Sequence, residues 1–151
     1  MADTVIATEK DKTGATVTIN WAKKLGGSIV VPFFLRNYAA LIENGHSNSF
    51  IFGTNASKAV YAVIDDNVVG AIVYDTQEDA YKTAWIVLSS IDDNYRRRGI
   101  YTMLHKHFEN VVKSEGSKRL ASLVHVNNVV RQASCDAVGM KPNFLRMEKA
   151  L

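Results

Sequence analysis

Residues 85–101, WIVLSSIDDNYRRRGIY, decide how this chain folds. The stretch opens on an apolar run, Trp85-Ile86-Val87-Leu88, that continues to Ile91, as in a strand covered on both faces. Asp92-Asp93-Asn94 is a turn signal, and Tyr95-Arg96-Arg97-Arg98-Gly99 follows it. From Ile100 the apolar residues fall at helical spacing: Ile100, Met103-Leu104, His107-Phe108, Val111-Val112. The order is strand, basic glycine-bearing turn, helix. The first N–H groups of a helix have no partner inside it, and the helix dipole favours negative charge there. Arginine and glycine at that point make a site for a phosphate group.

Upstream, Ala59 to Ile64 and Val68 to Tyr74 read as two strands joined by the tight turn Asp65-Asp66-Asn67. Gly70 inside the second strand signals a bulge or a close backbone approach. Asp75 to Lys82 is a polar connection. At the N-terminus, residues 4–8 and 15–21 suggest a further hairpin around the polar turn Glu9 to Gly14. Lys23 to Ser28 reads as a loop. Pro32 opens an amphipathic helix carrying Phe33-Phe34, Tyr38 and Leu41-Ile42, which ends near Asn44-Gly45. Residues 46–57 fit a short strand or a mobile loop.

Downstream, the helix from Arg98 ends near Ser114, and Arg119 to Val126 is another strand. Asn127 or Asn128 can cap a helix over Val129-Val130, Ala133 and Ala137 that stops at Gly139, and Phe144 to Met147 forms a last short strand. No linker or repeat divides the chain, so residues 1–151 make one domain. Strand–helix–strand–helix–strand after a run of hairpins implies an α+β fold (an α/β-like mixed sheet) with parallel crossovers.

A length of 151 residues buries a real core. With 47% hydrophobic and 22% charged residues, the composition is that of an ordinary soluble protein. The net charge of +3 suits an anionic ligand without being a nucleic-acid composition. A single cysteine, Cys135, excludes an internal disulfide and points to a reducing compartment. The first residues lack the basic start and apolar core of a signal peptide. The apolar run Ile29 to Leu35 contains Pro32 and is too short to span a bilayer. A cytoplasmic location without membrane association is expected.

The second half resembles the GCN5-related N-acetyltransferases (GNAT). Their Arg/Gln-x-x-Gly-x-Gly/Ala turn at a helix start is similar to Arg96-Arg97-Arg98-Gly99-Ile100-Tyr101, with Tyr101 where a small residue is usual. Their second signature, Asn-x-x-Ala-x-x-Leu-Tyr-x-x-x-Gly-Phe, is similar to the series Asn128, Arg131, Ser134, Cys135, Gly139, Met140. The match covers about residues 58–151. The resemblance implies a GNAT-like acyl-CoA N-acyltransferase fold, a mostly antiparallel sheet with a splayed parallel pair flanked by helices. It implies acetyl-CoA (CoA) binding, with the strand end Ser89, Ser90 and Ile91 on the pantetheine arm. The N–H groups of Arg98, Gly99, Ile100, Tyr101 and the adjoining Thr102, with Arg96, would hold the pyrophosphate. Arg97 would face the adenosine 3′-phosphate or solvent, and Asn128 would sit by the cofactor where the strands splay. The implied reaction is direct attack of a primary amine, on a small molecule or peptide, at the acetyl thioester.

Three departures follow from the same comparison. Cys135 stands where the family has a tyrosine acid; a thiol can donate a proton, although a lone cysteine is more often core. No glutamate lies in Thr83 to Ile91 to act as base; His125 is the candidate, directly or through water, with Glu78 and Asp75 as alternatives on a solvated connection. Only about one strand follows Gly139, so the N-terminal hairpin or a partner subunit in a homodimer could complete the acceptor site.

Several residues also have plainer readings. Arg96-Arg97-Arg98 could be a nucleic-acid patch, but scattered basic residues and the anion site at the helix start favour a specific ligand and no nucleic acid. His105 and His107 lie two apart on a helix, do not face each other, and read as one surface and one partly buried residue; no metal is expected. Phe33, Phe34, Tyr38, Leu41 and Ile42 could border the acceptor, but core packing is the default. The alternative to an enzyme is a non-catalytic GNAT-like domain that binds CoA as a ligand or regulator.

Overall fold

The computed structural model describes residues 3–46 and 56–151. Six strands form one sheet in sequence order: β1 (Thr4–Lys10), β2 (Thr16–Ala22), β3 (Lys58–Ile64), β4 (Asn67–Thr76), β5 (Ala84–Ile91) and β6 (Leu120–Ser122). Every neighbouring pair is antiparallel except β5 and β6, which are parallel. Three helices complete the chain: α1 (Val31–Glu43), α2 (Ile100–Ser114) and α3 (Val129–Ala137). The mixed α+β sheet with one parallel pair is the architecture expected from the sequence.

Alternation along the central strands builds a core on each face. Val60, Ala62, Ile72 and Tyr74 point to the face where α2 packs Ile100, Leu104, Phe108 and Val112. Ala59, Tyr61, Ala71 and Val73 point to the opposite face, under Phe33 and Phe34 of α1. Phe108 is fully buried, and truncating it to alanine would cost about 3–5 kcal/mol. The hairpin between β3 and β4 closes through Asp65 and Asp66, both at positive φ, as a two-residue turn of that twist requires.

Two bulges shape the sheet. The β3–β4 register shifts between Ala62 and Val63, beside Gly70. A Cβ at Gly70 would stand 2.4 Å from Ile91 Cδ1, so the expected close approach is real. The second bulge matters more. Val73 pairs with Leu88 while Tyr74 pairs with Ile86, which leaves Val87 as the extra residue. A bulge bends its strand and reverses the alternation beyond it; Ile86 faces the α2 core, whereas Val87 and Leu88 both face the α1 core.

Three expectations are corrected. The strand read from Arg119 to Val126 is only Leu120–Ser122, because β6 follows β5 from Ala84 to Ile86 and parts from it at the bulge. Phe144 to Met147 forms no strand, and Phe144, Leu145 and Met147 are exposed. His105 is buried rather than partly so, and His107 is half-buried against Glu9. Most of the ambiguous segment, residues 47–55, lies outside the described residues.

Candidate active site

The parting of β5 and β6 leaves Val87 to Ile91 without a strand neighbour on that side among the described residues. Backbone N–H and C=O groups there are open to an extended ligand. Past Ile91 the chain makes a 3-10 turn, Asp93–Tyr95, and reaches α2 through Arg96 to Gly99. Arg97 (φ 61°) and Gly99 (φ 82°) are both left-handed, which turns successive N–H groups toward a shared concavity that suits an anion. The N–H groups of Arg97 to Thr102 find no acceptor among the described residues. They lie at the positive end of α2.

The three arginines of the turn do different work. Arg98 reaches back to the β1–β2 turn, where Nε and Nη2 each stand 2.7 Å from Asp11 Oδ2. The Lys12 N–H donates to the Arg98 carbonyl at 2.9 Å, so the Arg98 side chain anchors the hairpin and its main chain borders the concavity. Arg96 Nε donates to the Ile91 carbonyl at 3.2 Å, tying the turn to the end of β5. Arg97 carries no such tie among the described residues and lines the cavity.

A cavity of about 890 Å³ runs from this turn along β5, through the gap beside β6, to α1. Ser89, Ser90, Ile91, Arg96, Arg97, Gly99, Ile100, Tyr101, Thr102, Asn128 and His125 all line it. Arg98 and Cys135 do not. Cys135 is 8% exposed on α3, turned away from the space in which an acid would act. Asn128 is also spent locally: its Oδ1 accepts from the Arg131 N–H at 3.1 Å and caps α3. Asp75 accepts from the Ser57 hydroxyl, and neither Asp75 nor Glu78 lines the cavity.

His125 lines the cavity, and its hydrogen bonding fixes its tautomer. Its Nδ1 accepts from the Asn127 N–H at 3.1 Å, so the neutral ring carries its proton on Nε2. In that state the open nitrogen is a donor, not a base. His46, at the end of α1, stacks on it with ring centroids 6.2 Å apart.

Four lining residues escaped the sequence reading. Lys12 lays its stem over Gly99, with Cε 3.4 Å from where a Cβ would stand. Arg131 donates to the Tyr101 hydroxyl at 2.9 Å, and its Nη2 is buried without a hydrogen-bond partner among the described residues. Asn37 accepts from the Ser90 hydroxyl at 2.7 Å, and His46 faces His125. Arg131 did carry a signal, since it occupies a position of the second motif; the other three arrive by tertiary contact alone. The aromatic stripe of α1 divides: Phe33 and Phe34 are core, while Tyr38 and Leu41 border the cavity.

Comparison with known families decides the identity. Residues 20–139 match the model of the acetyltransferase (GNAT) family. The chain belongs to the GNAT acetyltransferases. Similar crystal structures share its fold. One is an aminoglycoside acetyltransferase, meta-AAC0020, from an uncultured soil metagenomic sample, with a TM-score of 0.67 and 14% identity over 89% of this chain and 96% of that one. Another is a possible acetyltransferase from Clostridium difficile 630, with a TM-score of 0.65 and 18% identity over 89% and 97%. A third is AAC(6')-Iy in complex with the bisubstrate analogue CoA-S-monomethyl-acetylneamine, with a TM-score of 0.55 and 14% identity over 84% and 85%. No curated protein matches the sequence. In this GNAT chain, no helix among the described residues is long and apolar enough to cross a membrane.

Proposed function

We propose that the protein is an acetyl-CoA-dependent N-acetyltransferase acting on a primary amine. The observation that carries this reading is the continuity of one cavity from the anion-binding turn, past the open edge of β5, to the histidines beside α1. Acetyl-CoA supplies the activated acyl group when bound. The residues present fit it. The N–H groups of Arg97 to Thr102 suit the pyrophosphate, with Arg96, Arg97 and Lys12 offering charge around it. Ser89 Oγ and Arg131 Nη2, both buried and without a hydrogen-bond partner among the described residues, have hydrogen bonds to give. The free edge of Ser89, Ser90 and Ile91 suits the amides of an extended arm.

At the other end, the chain must orient an amine and take up its proton. His46 is the ring placed for proton uptake, because its nitrogens have no hydrogen-bond partner among the described residues. His125 presents Nε2–H and positions a neighbouring acceptor atom. Cys135 as proton donor would require α3 to turn, so protonation of the leaving thiolate falls to water.

A CoA-binding domain without turnover is the second reading, favoured by the placement of Cys135 away from the cavity. Thiol release from acetyl-CoA over a panel of amines, with calorimetric CoA binding in parallel, separates the two. Turnover that falls at least tenfold in His46→Gln supports the enzyme. Saturable CoA binding with no turnover on any amine leaves only the binding domain. Loss of binding in Gly99→Glu, which puts a side chain and a negative charge into the turn, tests the site under either reading.

A further inference from the structure

We infer that Arg131, held by Tyr101, is the α3-side charge that selects a pyrophosphate-bearing cofactor, an inference that rests on the CoA-binding part of the reading above. Arg131 lies in the first turn of α3, where its N–H donates to Asn128 Oδ1. It lines the same cavity as Gly99, Ile100, Tyr101 and Thr102 at the start of α2. Its Nη1 donates to the Tyr101 hydroxyl at 2.9 Å and to Ser134 Oγ at 3.2 Å. The guanidinium carbon is then 6.0 Å from the centre of the Tyr101 ring. Tyr101 is the second residue of α2, so the charge is tied to the helix start that carries the anion-binding turn. Both positions hold small residues in the family's two signatures, so the pair is a feature of this chain.

The pairing leaves the charge uncompensated. Arg36, Arg96 and Arg98 each have an aspartate, namely Asp92, Asp93 and Asp11. Arg131 has no carboxylate among the described residues: both partners of Nη1 are neutral hydroxyls, and Nη2 is buried without a hydrogen-bond partner there. A tie between α2 and α3 alone needs no charge, since a neutral side chain could donate to the same two hydroxyls. A part-buried guanidinium without a counter-ion is costly to keep, and it gains most from an anion that arrives with the ligand. Its field is felt nearby: burial holds the His105 ring below 6.5, and Arg131 adds to this against Glu109. Of the cofactor's parts only the phosphates are anionic. The pantetheine arm and the thioester carry no charge, so Arg131 acts on one part of the molecule and not on the other.

Calorimetric titration of the full chain with CoA, with inorganic pyrophosphate and pantetheine as competitors, tests this. Arg131→Met keeps an apolar stem and removes the charge. It should weaken CoA and pyrophosphate about tenfold or more while leaving pantetheine unchanged, as expected for the loss of a charge that meets only the phosphates. Pantetheine weakened as much as CoA would make Arg131 a structural tie between the two helices and overturn the inference. Unchanged CoA affinity overturns it as well. If Arg131→Met does not fold, Tyr101→Phe carries the test, since it removes only the hydroxyl that holds Nη1. That variant should weaken pyrophosphate and spare pantetheine; equal losses for the two, or no loss for either, overturn the inference. Absence of saturable CoA binding by the unaltered chain is the separate failure of the cofactor reading, and the inference falls with it.

Discussion

Arg98 and Asp11 meet across 87 positions of sequence, with the guanidinium 2.7 Å from a carboxylate whose side chain is fully buried. Asp11 Oδ1 also accepts from the Thr13 N–H and hydroxyl and the Ala15 N–H. Burial pushes the Asp11 carboxyl up, but the hydrogen bonds from Thr13, Arg98 and Ala15 outweigh it and hold the group at about 2, below its ordinary 3.8. A carboxyl that binds its proton more weakly folded than unfolded stabilises the fold above the ordinary value, and that stability drains as pH falls through the folded one. Urea midpoints should therefore drop between about pH 4 and pH 2. Asp11→Asn should be less stable at neutral pH and lose this part of the acid dependence. It should also weaken CoA binding, because the hairpin that steadies Lys12 and the Gly99 turn comes loose. Wild-type CoA affinity in that variant would show that the turn holds its shape alone.

His105 predicts a second pH dependence, at higher pH. It is 2% exposed, its Nε2 has no hydrogen-bond partner among the described residues, and its ring lies against Tyr101 and Phe108. Burial pushes its pKa below 6.5; Glu109 opposes this, and Arg131 adds to it. The folded state then binds fewer protons than the unfolded chain, so stability is full above about 6.5 and declines as pH falls below it. His105→Phe fills the same space without an unpaired nitrogen, and such a replacement can be neutral or stabilising. Its melting temperature should vary less between pH 7.5 and 5.5 than that of the parent. An unchanged slope would assign the dependence to another group.

Gly70→Ala should damage the site from a distance. The new methyl would stand 2.4 Å from Ile91 Cδ1, 3.4 Å from the Ser90 carbonyl and 3.6 Å from Leu104 Cδ2. The worst contact is with the tip of a side chain, which can turn aside, so the stability loss belongs at the low end of about 1–3 kcal/mol. The displaced residues are nonetheless the end of β5. CoA affinity, measured by calorimetry, should fall further than a surface substitution of equal stability cost would lower it.

How far the sequence could be read depended on the range of each determinant. The strand, basic turn and helix of residues 85–101 are local: apolar runs, turn residues and helical spacing all sit within one window. The motif therefore landed on the correct elements. The short β6 did not show, because its length is set by the bulge at Val87, and a bulge is a matter of register with β4. The role of the Arg98 side chain did not show either, because its partner Asp11 lies far away in sequence. His125 was legible as a candidate base, but its tautomer depends on one backbone N–H. His46 gave no signal, since nothing near it in sequence says that it will stack on His125.

The C-terminal segment provides the last prediction. Phe144, Leu145 and Met147 are each more than 80% exposed, and Leu151 is fully exposed. The chain after Gly139 keeps only Met140 against the core. Apolar side chains that stay in water add nothing to folding; burying each would contribute about 1.5–3 kcal/mol. Truncation after Asn143 should therefore leave the urea midpoint within the roughly 0.5 kcal/mol typical of surface changes. It should also improve solubility, because several exposed apolar side chains on one short strip promote association. A large loss of stability would instead mean that the segment is covered in solution. Elution volume then separates the two covers: a dimer that becomes a monomer on truncation places the strip on a second copy, and an unchanged monomer places it on the open edge of β6.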